Sequence, residues 1–235
     1  MSYQDIEQQD VAVSRGGLGN RAKFITKTYN HLLGAIFAFV LISVYFYQSG
    51  ISMAITQWVA SFGAGWMVLL GGFIAASWLA THLAHSSQSK VTQYSSLIGF
   101  VIAEAIIFAP MLLMASMYAD GVIKSAATVT LVGFAILTAI VFYTRKDFSF
   151  LRGMLMWAGG LALLAIGAAF IFGFELGTWF SVGMIGLAGA AILYDTSNVL
   201  HHYPEDRYVG AALQLFASVA MMFWYVLRLF MASEE

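Results

Sequence analysis

Residues 94–117 read YSSLIGFVIAEAIIFAPMLLMASM, and Glu104 is the single charged side chain among them. Coiled as a helix at about 1.5 Å per residue, this stretch is roughly 36 Å long. The hydrocarbon core of a bilayer is about 30 Å thick, so the stretch is long enough and apolar enough to span one. Six further runs have the same character, at 26–48, 57–84, 121–143, 150–173, 178–201 and 208–231. The expected fold class is therefore all-α: a polytopic bundle of seven transmembrane helices.

Composition agrees. Of 235 residues, 60% are hydrophobic and 10% charged, with a mean hydropathy of +0.80. Soluble domains are nearer ~45–50% apolar and ~25% charged. The chain lacks the polar surface to clothe a soluble globule, which excludes a cytosolic enzyme, a disordered tail and a basic nucleic-acid binder. The lipid bilayer is the expected partner, and nucleic acid is not one. A formal net charge of −1 argues against a dominant electrostatic partner. Cys is absent, which removes disulfides, thiolate metal sites and a cysteine nucleophile.

Two units are expected: a polar N-terminal tail at 1–23 and a membrane domain at 24–235. Met1–Asn20 lacks the basic start and short apolar run of a cleavable signal, and Gly16, Gly17 and Gly19 read as flexible. Orientation follows from the basic residues. With the N-terminus inside, the inner segments hold Arg15, Arg21, Lys23, Lys27, Lys90, Arg145, Lys146, Arg152 and Arg207, against Lys124 and Arg228 outside. Nine against two predicts a cytoplasmic N-terminus, and seven spans then place the C-terminus outside. Pro204 falls in a loop, whereas Pro110 lies within the third run and is expected to kink or break it. Gly72, Ala76 and Ala80, then Gly160 and Gly167, then Gly183, Gly186 and Gly189, recur at helical spacings that suit close helix packing. Tyr45, Tyr47, Trp58, Tyr118, Tyr143 and Trp179 read as interfacial anchors.

Ionisable groups at depth are the functional candidates, because an Asp at a helix centre costs about 2.5–3.5 kcal/mol to insert. Asp195 and Glu104 are such groups. On a helix, Asn198 and His202 follow Asp195 at i+3 and i+7, so one polar stripe runs from the carboxyl toward the inner mouth. The stripe suits a cation or a proton; the other reading of Asp195 is hydrogen-bond glue between helices. Glu104 precedes Pro110, whose ring frees a backbone carbonyl, so it is either a second ion or proton site or a carboxyl bonded to a neighbouring helix. No catalytic residues are expected. The sequence has no mid-membrane Lys for a Schiff base, no Gly-x-Gly-Asp, no His-Glu-x-x-His and no Gly-x-Ser-x-Gly.

Three segments carry a resemblance: Thr144–Arg145–Lys146–Asp147–Phe148–Ser149–Phe150–Leu151, then Tyr194–Asp195–Thr196–Ser197–Asn198, then Ala212–Leu213–Gln214–Leu215–Phe216 with Phe223 following. In this order and spacing they resemble the Bax inhibitor-1 family, in its YccA-like bacterial branch. The resemblance covers about 24–231. It implies a bundle in which the last helix is central, surrounded by the other six. It also implies a multi-pass protein of the bacterial inner membrane, protection from stress, and a pH-sensitive calcium leak or restraint of the membrane-anchored AAA protease FtsH. No cofactor is implied; calcium is the candidate ion, at Asp195. In leak-forming relatives an aspartate in each of the last two helices forms a pH-sensitive latch. Asp195 matches the first, the second falls at Ser218, and the family's Asn falls at Met221. Ser218 can give Asp195 a hydrogen bond but no charge.

Overall fold

A computed structural model describes residues 3–118 and 121–232, with side chains from Gly19 onward except Tyr118. The side chains of Arg15, read as an inner-side charge, and Tyr118, read as an anchor, lie outside that description. Among the described residues eight helices follow one another: α1 Tyr3–Gln48, α2 Ile51–Ala60, α3 Gly65–Ser86, α4 Lys90–Tyr118, α5 Val122–Thr144, α6 Leu151–Phe172, α7 Gly177–His201 and α8 Tyr208–Ala232. Among the described residues, all but α2 contain a stretch long and apolar enough to cross a membrane, giving seven candidate spans, the first being Gly19–Gln48. The protein is a polytopic helical membrane bundle.

One expectation about an individual helix changes, and of the kink or break expected at Pro110 the break is absent. The run at 57–84 is two helices rather than one. Its first residues belong to α2, the chain turns at 61–64, and the span begins at Gly65. Gly65 explains the break: a Cβ placed there would lie 2.0 Å from the carbonyl oxygen of Val59, so only glycine lets the two helix ends approach. Pro110 does not break α4, which runs unbroken through it. The neighbouring helices hold that span as a unit, as they do for prolines in membrane helices generally. The head expected to be flexible is, from Tyr3, backbone of the same helix as the first span.

Core formation in the bundle is centred on α8. Gly210, Ala211, Ala212 and Leu213 are consecutive and all buried, so every face of its first turn is covered. α8 lies against α1, α3, α4, α5 and α7; α6 stands one layer out and makes its close backbone approach to α7 alone among the described residues. Central placement thus holds, with five spans around α8 instead of six. Edge-to-face and stacked rings knit the centre. Phe39 meets Phe108 at 5.1 Å, Phe108 meets Trp224 at 4.9 Å and stacks on Phe223 at 5.5 Å.

The expected small-residue contacts are only partly used. Ala80 is buried and a Cβ on Gly189 would meet Leu137 and Met222, but Gly72, Gly160, Gly167, Gly183 and Gly186 have open space at that position. A close approach between spans lies elsewhere, where a Cβ on Gly210 would come 3.2 Å from the carbonyl oxygen of Ala84. Outward faces carry large apolar residues such as Leu164 and Ile171, as lipid-facing surfaces do. Tyr45, Tyr47, Trp58, Tyr143 and Trp179 are exposed, as anchors should be.

Candidate functional site

Asp195 lies six residues before the end of α7, about 9 Å along the axis. Ser218 lies on the central helix α8. The two meet: the Ser218 hydroxyl donates to Asp195 Oδ2 at 2.5 Å, with Asp195 2% and Ser218 4% exposed. A buried carboxyl inside a bundle needs such a partner, since an unmatched polar group there costs several kcal/mol. The partner is neutral, so the site holds one acid.

The other candidates are not gathered here. Glu104 is 5% exposed on α4 and has neither a hydrogen bond nor an ionic partner among the described residues. No hydrogen bond or ion pair among the described residues links it to Asp195. Asn198 uses its backbone carbonyl, which accepts from the N–H of His202 and of Tyr203, but its side chain makes no hydrogen bond among the described residues. The expected stripe ends there. His202 turns away to the α5–α6 loop, its Nε2 2.9 Å from Asp147 Oδ2, with both side chains about half exposed. Among the described residues no three His, Cys, Asp or Glu side chains converge to hold a metal ion.

Below Asp195, the loops and helix ends at this side of the bundle lock together. Arg21 on α1 donates to three carbonyls at the end of α7: Nε to Leu200 at 3.1 Å and the two terminal nitrogens to Val199 at 2.7 Å and Tyr203 at 2.5 Å. Those carbonyls belong to the last turn and just beyond, where helix carbonyls lack intrahelical donors, and a cation there is favoured by the helix dipole. Tyr203 carries the lock to α3. His85 Nδ1 donates to the Thr81 carbonyl at 2.8 Å, so its Nε2 is free to accept from the Tyr203 hydroxyl at 2.9 Å. Burial pushes the Tyr203 phenol above its usual range, and the Asp195 carboxylate acts in the same direction. Arg207 donates to the carbonyl of Ser87, which Gln93 Nε2 also reaches at 3.0 Å, and Lys90 donates to the carbonyl of Asp206.

The α5–α6 loop docks on the same helix end. Arg145 takes a left-handed conformation (φ 51°) that turns the chain out of α5. Asp147 Oδ1 accepts the Ser149 N–H at 2.8 Å, and the Phe148 N–H donates to Ser197 Oγ at 2.9 Å. The Ser149 N–H, then His202, hold the Asp147 carboxyl well below its usual range, at about 2. Residue type and spacing do not mark Arg21, Asp147, Ser197 or Tyr203 as site groups. Asp147 and Ser197 lie inside the motifs at 144–151 and 194–198, which is their signal in the sequence. Arg21 has none, because its partners are backbone oxygens.

A buried acid on the penultimate span, answered from a central last span and closed beneath by a loop carrying Lys146–Asp147–Phe148, defines a class of seven-span membrane proteins. The family model described as Inhibitor of apoptosis-promoting Bax1 matches residues 21–235, and the chain belongs to that family, the Bax inhibitor-1 family. Among its relatives, an uncharacterized protein of Pseudomonas aeruginosa is 33% identical over 169 residues, 69% of this chain and 72% of that one. The Bax inhibitor 1 of Schizosaccharomyces pombe is 28% identical over 218 residues, 89% and 76% of the two chains. The modulator of FtsH protease YccA of Escherichia coli K12 is 35% identical over 105 residues, 43% of this chain and 47% of that one. The same protein of another Escherichia coli strain is named an inner membrane protein.

Proposed function

We propose that the protein is a binding module, not an enzyme, that modulates a membrane-anchored AAA protease of the FtsH type and so protects the cell under stress. It works in a bacterial inner membrane with its N-terminus in the cytoplasm and its C-terminus outside. Similarity to the Escherichia coli modulator supports the partner. The observation that carries this reading over its rival is the Asp195–Ser218 pair: the one deep acid of α7 is answered by a hydroxyl, not by a second charge. The test is reconstitution of the protein with a purified FtsH-type protease in proteoliposomes, following degradation of a membrane substrate. Slower degradation is expected, with association weakened when residues 1–18 are deleted. Unchanged degradation at saturating protein rejects the proposal.

A second reading is a pH-sensitive calcium leak at Asp195, favoured by a carboxyl only 2% exposed inside the bundle. Calcium flux into liposomes between about pH 6 and pH 8, the range in which such devices titrate, tests it. A flux that Asp195→Asn leaves intact, with its pH dependence, refutes this mechanism.

A further inference from the structure

On the outside of the bundle a groove of about 270 Å³ runs between α1 and α4. Gly34 and Ala38 form one wall and Leu97 and Val101 the other. Gly34 opens it: a Cβ there would meet nothing within 4 Å. The groove follows α1 from Asn30 to Ile42, about 18 Å at 1.5 Å per residue. One leaflet of a bilayer has about 15 Å of hydrocarbon, half of the whole core. The length suits one acyl chain. A helix, about 10 Å across, does not enter a space of this volume.

The groove ends in charge. His31 and Tyr94 stand at its mouth, joined Nε2 to hydroxyl at 2.8 Å. The His31 ring lies 5.0 Å from that of Tyr208. Over the Tyr208 ring sit two ammonium groups, Lys27 at 5.2 Å and Lys90 at 4.3 Å. Lys27 is one helical turn before Asn30 on α1, and Lys90 one turn before Tyr94 on α4, so both point from the groove's own walls toward the same end. Neither pairs with a carboxylate among the described residues, and Lys90, which also donates to the Asp206 carbonyl and to Gln93 Oε1 at 3.2 Å, keeps its full charge. Two cations at the polar end of an acyl-sized channel in a lipid-facing surface match one class of ligand.

We propose that the α1–α4 groove is a binding site for an anionic phospholipid, with one acyl chain along Gly34 and Ala38 and the phosphate between Lys27 and Lys90. Two lysines at a membrane surface favour an anionic over a zwitterionic headgroup by about tenfold or more. The experiment is native mass spectrometry of the full chain in detergent, titrated with phosphatidylglycerol and, separately, phosphatidylcholine of the same acyl chains. One retained phosphatidylglycerol is expected, preferred about tenfold. Lys27→Gln with Lys90→Gln should abolish the preference while a lipid still binds. Gly34→Leu, or Ala38→Leu should the first not fold, should remove binding of both lipids. Leu164→Phe, on the lipid-facing side of α6, should change nothing. Equal retention of the two lipids by the unaltered protein overturns the proposal. So does equal loss in Leu164→Phe, displacement of the lipid by inorganic phosphate alone, or a protein dimer that Gly34→Leu dissociates.

Discussion

Asp195 and Ser218 are joined at 2.5 Å across the α7–α8 interface, both nearly inaccessible to solvent. Removing one partner of a buried hydrogen bond leaves the other unmatched, at about 1–3 kcal/mol. Ser218→Ala is therefore expected to lower the stability of the bundle by about that amount, whereas Ser218→Thr, which keeps the hydroxyl, should lose less. Thermal unfolding in one detergent reads the difference. Equal losses in the two variants would show that volume, not the hydroxyl, matters at this position.

The same pair sets an expectation for calcium. One carboxyl beside a hydroxyl is a poor site for a divalent ion, which takes six to eight oxygens and prefers several carboxylates. Ser218→Asp adds the second charge. Calcium should raise the unfolding temperature of Ser218→Asp and leave the unaltered protein within error, measured by the same melt with and without the ion.

Arg21 supplies three hydrogen bonds to the end of α7. Hydrogen bonds from a charged donor contribute about 1.5–3 kcal/mol each, with non-additive sums. Arg21→Gln should destabilise the bundle by about 2–4 kcal/mol. Arg21→Lys should recover only part of that, because an ammonium cannot span three carbonyls as the guanidinium fork does. Hydrogen exchange at residues 198–203 should rise in both variants, and unchanged exchange there would reject the capping role.

How much of this was legible in the letters depends on what kind of atom makes the contact. The seven spans were readable because each is a continuous apolar run, and Asp195 stood out as an acid inside one. Hydropathy does not register the start of the second span, because the turn at 61–64 carries no charge; Gly65 is required by the Val59 backbone, not by any side chain. Ser218 could be placed opposite Asp195 only through the motif in α8. Glu104 was visible as a deep acid, but its lack of a partner was not. Arg21 counted as one more inner-side charge, since the carbonyls it holds lie 178 or more residues away and have no signature in the sequence.

Asp147 provides the pH test. Its folded pKa, about 2, is below the ordinary 3.8, held there by the Ser149 N–H and then by His202. A depressed carboxylate contributes stability that is present above its unfolded pKa and lost as pH falls through the folded value. The docking of the α5–α6 loop on α7 should thus be intact at pH 5 and weaken between about pH 4 and pH 2. Asp147→Asn should show a smaller fall in unfolding temperature across that window. An identical fall in both proteins would mean that other carboxyls govern it.

Gly65 and Gly72 make a matched pair on one helix. A Cβ on Gly65 would press on the Val59 backbone at 2.0 Å, while one on Gly72 meets nothing within 4 Å. Overpacking of this kind costs about 1–3 kcal/mol even where side chains can move, and backbone cannot. Gly65→Ala should lower stability by at least that, and Gly72→Ala should be neutral or slightly stabilising because alanine favours helix. Comparable melts for the two would refute the close α2–α3 contact.

The helix at the centre of the bundle is also the one made after the other six spans. At about 5–20 residues per second, the 207 residues ahead of Tyr208 take roughly 10–40 s to synthesise. As that synthesis proceeds the earlier spans enter the membrane one after another without the element that five of them surround, and Asp195 waits for Ser218 over the 23 residues between them, about 1–5 s. The ring must therefore stay open, or be held by something else, until its axis is threaded in.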